Sequence, residues 1–253
     1  MSRWKAASVH LGISAAVACA VLGGMLAAWY APPFFEAAGG SHLLFILVGV
    51  DVTLGPAITL IIFDLGKKSL KELKFDLAAI ATLQLAALLY GGYVMFQARP
   101  VYVVFVKDRF ELATAADIDP EELAKVTRPE FRSLPLTGPR LVGARPPTDE
   151  KERERILFAS VIGGTDLHSF PQYYVPYEEI AAEAAAKGLT LAQARAVEPE
   201  GAAAVADHLA AEGRSEGEVR YLLVRARRTW LAAVVDAKSG AVLAFLPVKS
   251  RSR

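Results

Sequence analysis

The chain of 253 residues carries 28 basic and 27 acidic side chains, a formal net charge of +1, so it has no electrostatic footprint for a nucleic-acid partner. Its single cysteine, Cys19, excludes a disulfide framework within the chain. The mean hydropathy of +0.32 is high, and the residues that raise it crowd into roughly the first hundred positions, leaving most acids and arginines to the rest.

Arg3 and Lys5 precede an apolar run over 6–30. The run exceeds the roughly 7–15 residues of a signal-peptide core, and it ends in Trp29-Tyr30 and Pro32-Pro33 instead of a small-x-small cleavage site. It predicts a retained membrane helix, with Trp4 at one interface and Trp29 and Tyr30 at the other. Gly23-Gly24 would let a neighbouring helix approach closely. His10, near the start, reads as an interfacial histidine. A short loop with one acid, Glu36, follows.

The second span, 41–63, is long enough to cross the hydrocarbon core, which takes about 20 apolar residues. Asp51 stands near its middle, where a charge costs on the order of 2.5–3.5 kcal/mol, so it needs a partner or a proton. Pro56 removes a backbone hydrogen bond and predicts a kink. Thr53 and Thr59 are placed to satisfy carbonyls nearby. The loop 64–74 holds Lys67, Lys68, Lys71 and Lys74, and a third span, 75–96, ends in Tyr90, Tyr93 and Phe96. Counting depth at about 1.5 Å per residue brings Gln84 level with Asp51 to within a turn and predicts that the two pair. Three roles stay open for Asp51: holding the bundle together, hydrogen-bonding a partner's membrane helix, or conducting protons. The basic residues put the N-terminus and the 64–74 loop in the cytoplasm and everything after Phe96 outside. That divides the chain into a multi-pass transmembrane domain, 1–98, and an extracytoplasmic domain, 99–253, which in a bacterial inner membrane is periplasmic.

GVDVTLGP from Gly49, GKKSLKELKFDLA from Gly66 and QARPVYVVFVKDRFEL from Gln97 follow one another along the chain. In order and spacing they resemble the TfpX/TfpZ family of type IV pilin accessory proteins, most densely over 35–112. The resemblance implies an inner-membrane protein that assists the stability of a type IV pilin or its assembly into surface pili. It implies pilin and the lipid bilayer as partners, and no enzymatic activity. Candidate contact residues are then Asp51, Gln84 and Pro56 in the membrane, and Arg99, Asp108, Arg109 and Glu111 beyond it. The alternative is a periplasmic sensing or signal-transducing membrane protein, against which stands the absence of a cytoplasmic output domain.

Beyond the third span, Arg99 reads as a headgroup contact and Pro100 as the start of an extended stretch. The β-branched and aromatic run 101–106 predicts a buried strand. Asp108-Arg109-Phe110-Glu111 reads as a turn with an exposed ion pair, or as a contact surface just above the membrane. Asp119-Pro120-Glu121-Glu122 starts a short helix. A strand over 140–144 precedes a helix from Thr148 or Asp149 to Val161, charged in its first half and apolar in its second. The next loop holds Asp166, His168, Tyr173 and Tyr174, too few nitrogen or sulfur ligands for a metal. Helices over 176–187 and 199–211 follow, then a strand from Val219 and a hairpin with glycine at its turn, Gly240. The sum is a small α+β domain with a mostly antiparallel sheet of four strands, and Arg225, Arg227 and Arg228 on the solvent face of a strand end. No Gly-rich phosphate loop, zinc-ligand array or nucleophile elbow appears. The expectation is a protein without catalytic residues, cofactor, metal or small-molecule substrate.

Overall fold

The computed structural model describes residues 3–62, 69–163 and 165–248, with the backbone but not the side chains of 50, 51, 54, 70 and 163. The chain divides into a helical unit, Met1–Ala28 with Gly40–Gln97, and a sheet unit, Trp29–Gly39 with Ala98–Arg253. Its first four helices are α1 (Arg3–Ala28), α2 (Phe34–Ala37), α3 (Gly40–Ile62) and α4 (Leu70–Gln97). The short α2 belongs to the sheet unit.

In the helical unit α3 packs against both α1 and α4. Among the described residues, α1 and the segment Lys71–Gln97 are each long and apolar enough to cross a membrane, and within α3 the apolar stretch is Gly40–Gly49. The buried side of α1 is a stripe of mostly small residues, Ala6, Ser14, Ala18 and Met25. Phe45, Ile61, Phe75 and Leu83 point outward from these helices. Among the described residues none closely approaches Gly23 or Gly24, where the sequence suggests a close helix contact. Gly91 of α4 takes that role, for a Cβ there would collide with Leu47 of α3. α4 also begins earlier than the third span predicted. Ser69 and Glu72 form a capping box: the Ser69 N–H donates to Glu72 Oε2 at 2.8 Å and the Glu72 N–H to Ser69 Oγ at 3.3 Å. Lys71 and Lys74 therefore sit on the first turns of a helix, and Lys67 and Lys68 lie outside the described residues.

The sheet unit continues through β1 (Pro100–Val106), β2 (Arg109–Thr114), α5 (Pro120–Ala124), β3 (Arg140–Ala144), α6 (Glu150–Gly163), β4 (Tyr174–Pro176), α7 (Ala181–Lys187), α8 (Leu191–Val197), α9 (Pro199–Glu212), β5 (Val219–Arg225), β6 (Leu231–Asp236) and β7 (Val242–Pro247). Among the described residues seven strands form one sheet in the order β4-β3-β1-β2-β5-β6-β7. It is mixed: β1–β3 and β2–β5 are parallel, and the other neighbours are antiparallel. The sheet is mostly antiparallel, as expected, but it has seven strands instead of four, and its parallel pairing of β1 with β3 has a topological reason. β2 brings the chain back to the end where β1 began, so β3 starts beside β1 and runs with it.

The β1–β2 hairpin is central, and every residue of β1 is buried, which is why its sequence is a continuous apolar run with no alternation. One face packs Tyr102, Val104 and Val106 with Ile156, Phe170 and Tyr174. On the other face Phe110 meets Phe105 at 5.4 Å between ring centroids, Tyr177 at 5.8 Å and Phe245 at 5.9 Å. Phe245 in turn meets Phe34 of α2 at 5.3 Å, which docks the first loop onto this unit.

α5 and α6 are tied through Glu122. Its carboxylate accepts from Lys125 Nζ at 2.8 Å, Arg155 Nη1 at 2.9 Å and Gln172 Nε2 at 2.6 Å. The Arg155 guanidinium also lies 5.0 Å over the Phe170 ring. Burial pushes the Glu122 carboxyl up, but the hydrogen bonds from Lys125, Arg155 and Gln172 outweigh it and hold the group below its ordinary 4.5. A carboxylate lowered on folding stabilises above its unfolded-state pKa and loses that contribution as pH falls through the folded value. Stability is therefore expected to drop below about pH 4.5, and Glu122→Gln to flatten part of that slope. Urea unfolding of both proteins across the acid range measures the difference, and identical slopes would remove Glu122 from the account.

Candidate functional site

Polar side chains are scarce in the helical unit, and three of them meet. His10 Nδ1 lies 2.6 Å from Thr59 Oγ1, and His10 Nε2 lies 2.8 Å from Gln84 Oε1, so α1, α3 and α4 each contribute one group. The Gln84 carbonyl oxygen can only accept, so Nε2 carries the proton, and in the neutral ring Nδ1 accepts from the buried Thr59 hydroxyl. His10 is thus a joint of the bundle instead of the interfacial histidine the sequence suggests. Thr59, expected to satisfy a carbonyl near Pro56, faces this histidine, and the Thr53 hydroxyl donates to the Gly49 carbonyl. Gln84 lies in a notch of α3 at Gly55, where a Cβ would overlap its amide. Asp51, Gly55 and Thr59 follow one another at four-residue spacing on α3, one stripe of that helix. The expected pairing of Gln84 with Asp51 lies outside the described residues, because only the backbone of Asp51 is among them. Pro56 sits inside α3, which continues to Ile62.

His10→Leu is expected to remove one hydrogen bond from each of Thr59 and Gln84 and to lower the resistance of the detergent-solubilised protein to unfolding by about 1 kcal/mol, the size of polar contacts between apolar helices. His10→Gln should restore part of it. Equal unfolding of all three proteins would make the contact dispensable.

On the outside of the same two helices, α3 and α4, an apolar groove of about 250 Å³ runs between Leu43, Leu47, Leu88, Gly91 and Met95. Its surface is almost wholly apolar and suits another apolar helix better than a polar ligand.

In the sheet unit the β1–β2 turn, Lys107-Asp108, has Lys107 at φ 59°. Arg109 Nε donates to Glu111 Oε1 at 2.7 Å, and Arg109 Nη1 lies 3.5 Å from Asp108. This is not the exposed ion pair expected: Glu111 is buried, because β5 arrives beside it and puts Arg225 in register with it. The Glu111 hydrogen bond raises the Arg109 pKa further, against the penalty of burial. Nor does the turn stand where the chain enters the unit. β1 carries it seven residues from Pro100, about 20 Å at strand rise. Arg99 is also placed differently from expectation. It is buried, with Nε donating to the Pro135 carbonyl at 3.3 Å, so it does not stand among headgroups. Burial lowers its pKa, partly offset by Tyr30. Its backbone is held as well, the Arg99 carbonyl accepting from the Ala115 N–H at 3.0 Å.

A cleft of about 410 Å³ lies beside the hairpin, lined by Glu111, Asp117, Asp166, His168, Arg225 and Arg227. Sequence reasoning did not join these residues, which come from distant parts of the chain. Two of its acids are committed to turns. Asp117 Oδ2 accepts from the Thr114 N–H at 2.8 Å, and Asp166 Oδ1 from the Leu167 N–H at 2.7 Å.

The chain is similar to proteins of Dichelobacter nodosus. With the fimbrial assembly protein of serogroup I it is 34% identical over 173 residues, which is 68% of this chain and 66% of that one. The serogroup E1 protein gives the same identity and coverage. The fimbrial assembly protein of serogroups C1 and C2 is 36% identical over 119 residues, which is 47% of this chain and 90% of its relative. The chain belongs to the fimbrial assembly protein family. It spans 66% of the length of the first two relatives, just under two thirds. No family model matches it, and no solved structure does. In this fimbrial assembly family member the apolar groove lies on α3 and α4 of the helical unit, and the β1–β2 turn at Lys107 is exposed in the sheet unit.

Proposed function

We propose that this family member is an inner-membrane accessory protein of the TfpX/TfpZ type, which holds a type IV pilin in the membrane and aids its assembly into a pilus, without enzymatic chemistry. The observation that carries the reading is the similarity to fimbrial assembly proteins, 36% identity across 90% of one of them. In this reading α1, α3 and α4 all cross the membrane, with Arg3, Lys5, Lys71 and Lys74 on the cytoplasmic side and the sheet unit in the periplasm. A pilin awaiting assembly would keep an apolar helix in the bilayer and a globular head outside. The groove between Leu47 and Leu88 offers apolar surface to such a helix, and the hairpin turn at Lys107 offers an exposed, charged tip to the head. The His10–Thr59–Gln84 joint fixes the helices that form the groove.

The test is photo-crosslinking in native membranes, with the crosslinker at Leu88 in one strain and Lys107 in another. Pilin adducts at Leu88 are expected, joined by Lys107 if the head is also held. Adducts at Lys107 alone would move the function to the sheet unit. Absence of pilin at both positions, with the protein at normal level, would overturn the reading.

A further inference from the structure

The last two turns of α6 carry Leu157, Phe158, Val161 and Ile162, which are 63–82% exposed. Spaced at i, i+1, i+4 and i+5, they form one face of the helix, while Ile156 on its other side is buried in the core. Four adjacent large apolar residues on an otherwise folded domain mark a surface that something covers.

What borders the face says what covers it. Ser160 of α6 lines the same cleft as Arg225 and Arg227. Arg225, Arg227 and Arg228 are exposed, and Trp230 just beyond them is 47% exposed. The Arg228 N–H donates to the Ala37 carbonyl at 3.1 Å, so this arginine loop lies on Trp29–Gly39, the segment joined at both ends to apolar helices. The third junction, at Ala98, opens at the same end of the unit. Pro100 pairs with Thr114, and Asp117, three residues on, lines the cleft beside Ser160. The apolar face, three exposed arginines and a tryptophan thus share the end of the sheet unit at which its chain enters and leaves. Apolar bulk flanked by Arg and Trp is the composition of a surface lying in a lipid interface, with guanidinium groups toward phosphates.

We infer that the exposed face of α6 lies in the headgroup layer of the bilayer, with Arg225, Arg227 and Arg228 toward lipid phosphate. The inference rests on the membrane reading of α1 and α4 given above. Four single-cysteine proteins test both. One is the native chain, labelled at Cys19 within α1. The other three carry Cys19→Ser together with Phe158→Cys, Ile162→Cys or Lys238→Cys. Lys238 is exposed, at the end of β6 opposite Trp230. Each full chain is labelled with an environment-sensitive fluorophore and reconstituted into phosphatidylethanolamine–phosphatidylglycerol vesicles containing lipids that carry a nitroxide at shallow or deep positions.

An interfacial helix sits about 5–10 Å into the headgroup–acyl boundary. Labels at 158 and 162 are therefore expected to shift to the blue and to lose emission to the shallow nitroxide, while the label at 238 does neither. Cys19 is expected to lose emission to the deep nitroxide. Quenching at 158 and 162 no greater than at 238, with Cys19 quenched, would overturn the inference and leave the membrane reading standing. A blue shift without lipid quenching would also overturn it, by showing that protein covers the face. Failure of both nitroxides to quench Cys19 would remove the membrane reading and this inference with it.

Discussion

Phe110→Ala is expected to cost the sheet unit about 3–5 kcal/mol, the usual penalty for truncating a buried aromatic residue. Phe110 is fully buried where three rings converge, those of Phe105, Tyr177 and Phe245. They come from β1, from the turn before α7 and from β7, so the ring is the point at which separate parts of the unit are held together. Removing it opens a cavity that the sheet backbone on one side cannot collapse to fill. Set against a total stability of about 5–15 kcal/mol for a typical domain, the loss is a large share. Near-UV circular dichroism followed through a urea titration of the full-length protein measures it. Phe110→Leu, which keeps much of the volume, should lose far less. If Phe110→Ala unfolds at the midpoint of the parent, the aromatic convergence is not the core of the unit.

Gly240→Ala is expected to be nearly as damaging, for a different reason. Gly240 has φ +74°, a conformation that costs an L-residue about 1–2 kcal/mol. A Cβ there would also strike the backbone carbonyl of Ala181, the first residue of α7, and no rotamer change can move it aside. The Gly240 carbonyl accepts a buried hydrogen bond from the Tyr177 hydroxyl at 2.7 Å, so a turn that shifts to relieve the clash pulls on the same cluster as Phe110. Backbone strain and overpacking together come to about 3 kcal/mol, or roughly 10 °C in thermal midpoint for a unit of this size. Gly138→Ala is the control. It too has positive φ, +54°, but open space around it, so it should carry the backbone term alone. Equal midpoints for the two variants would show that α7 gives way.

What the sequence made legible was local. The Asp119 cap with Pro120 behind it marks α5, Pro199 and Gly213 bracket α9, and the unbroken apolar run 101–106 announces a strand covered on both faces. What it hid depends on partners far away in the chain. Glu111 looks like half of an exposed pair until β5 is laid beside β2, a parallel neighbour that no turn signal predicts. β4 has only three residues, too few for any periodicity, and exists because β3 offers an edge. Gly23-Gly24 carries the signature of close helix approach, yet Gly55 and Gly91 provide it, because which glycine faces a neighbour depends on the rotation of its helix. His10 was misread for the same reason: whether it meets lipid headgroups or Gln84 is a matter of register between α1 and α4. Among the site residues, depth counting sets Gln84 against Asp51, while the contact the structure describes for it is with His10, which no spacing in the sequence points to.

The first loop has a last consequence, in the order of synthesis. Tyr30 and Phe34 are buried parts of the sheet unit, yet they leave the ribosome before any of its strands and before α3 and α4. The unit is a fold whose first piece must wait, tethered between two apolar helices, until β7 delivers Phe245 to meet it. A soluble fragment cut at residue 98 would never receive that piece. It would fold around a missing wedge, with Phe245 bare and the Arg228 amide short of the Ala37 carbonyl. Supplying Trp29–Gly39 as a separate peptide, or grafting it onto the new N-terminus, would make that fragment whole.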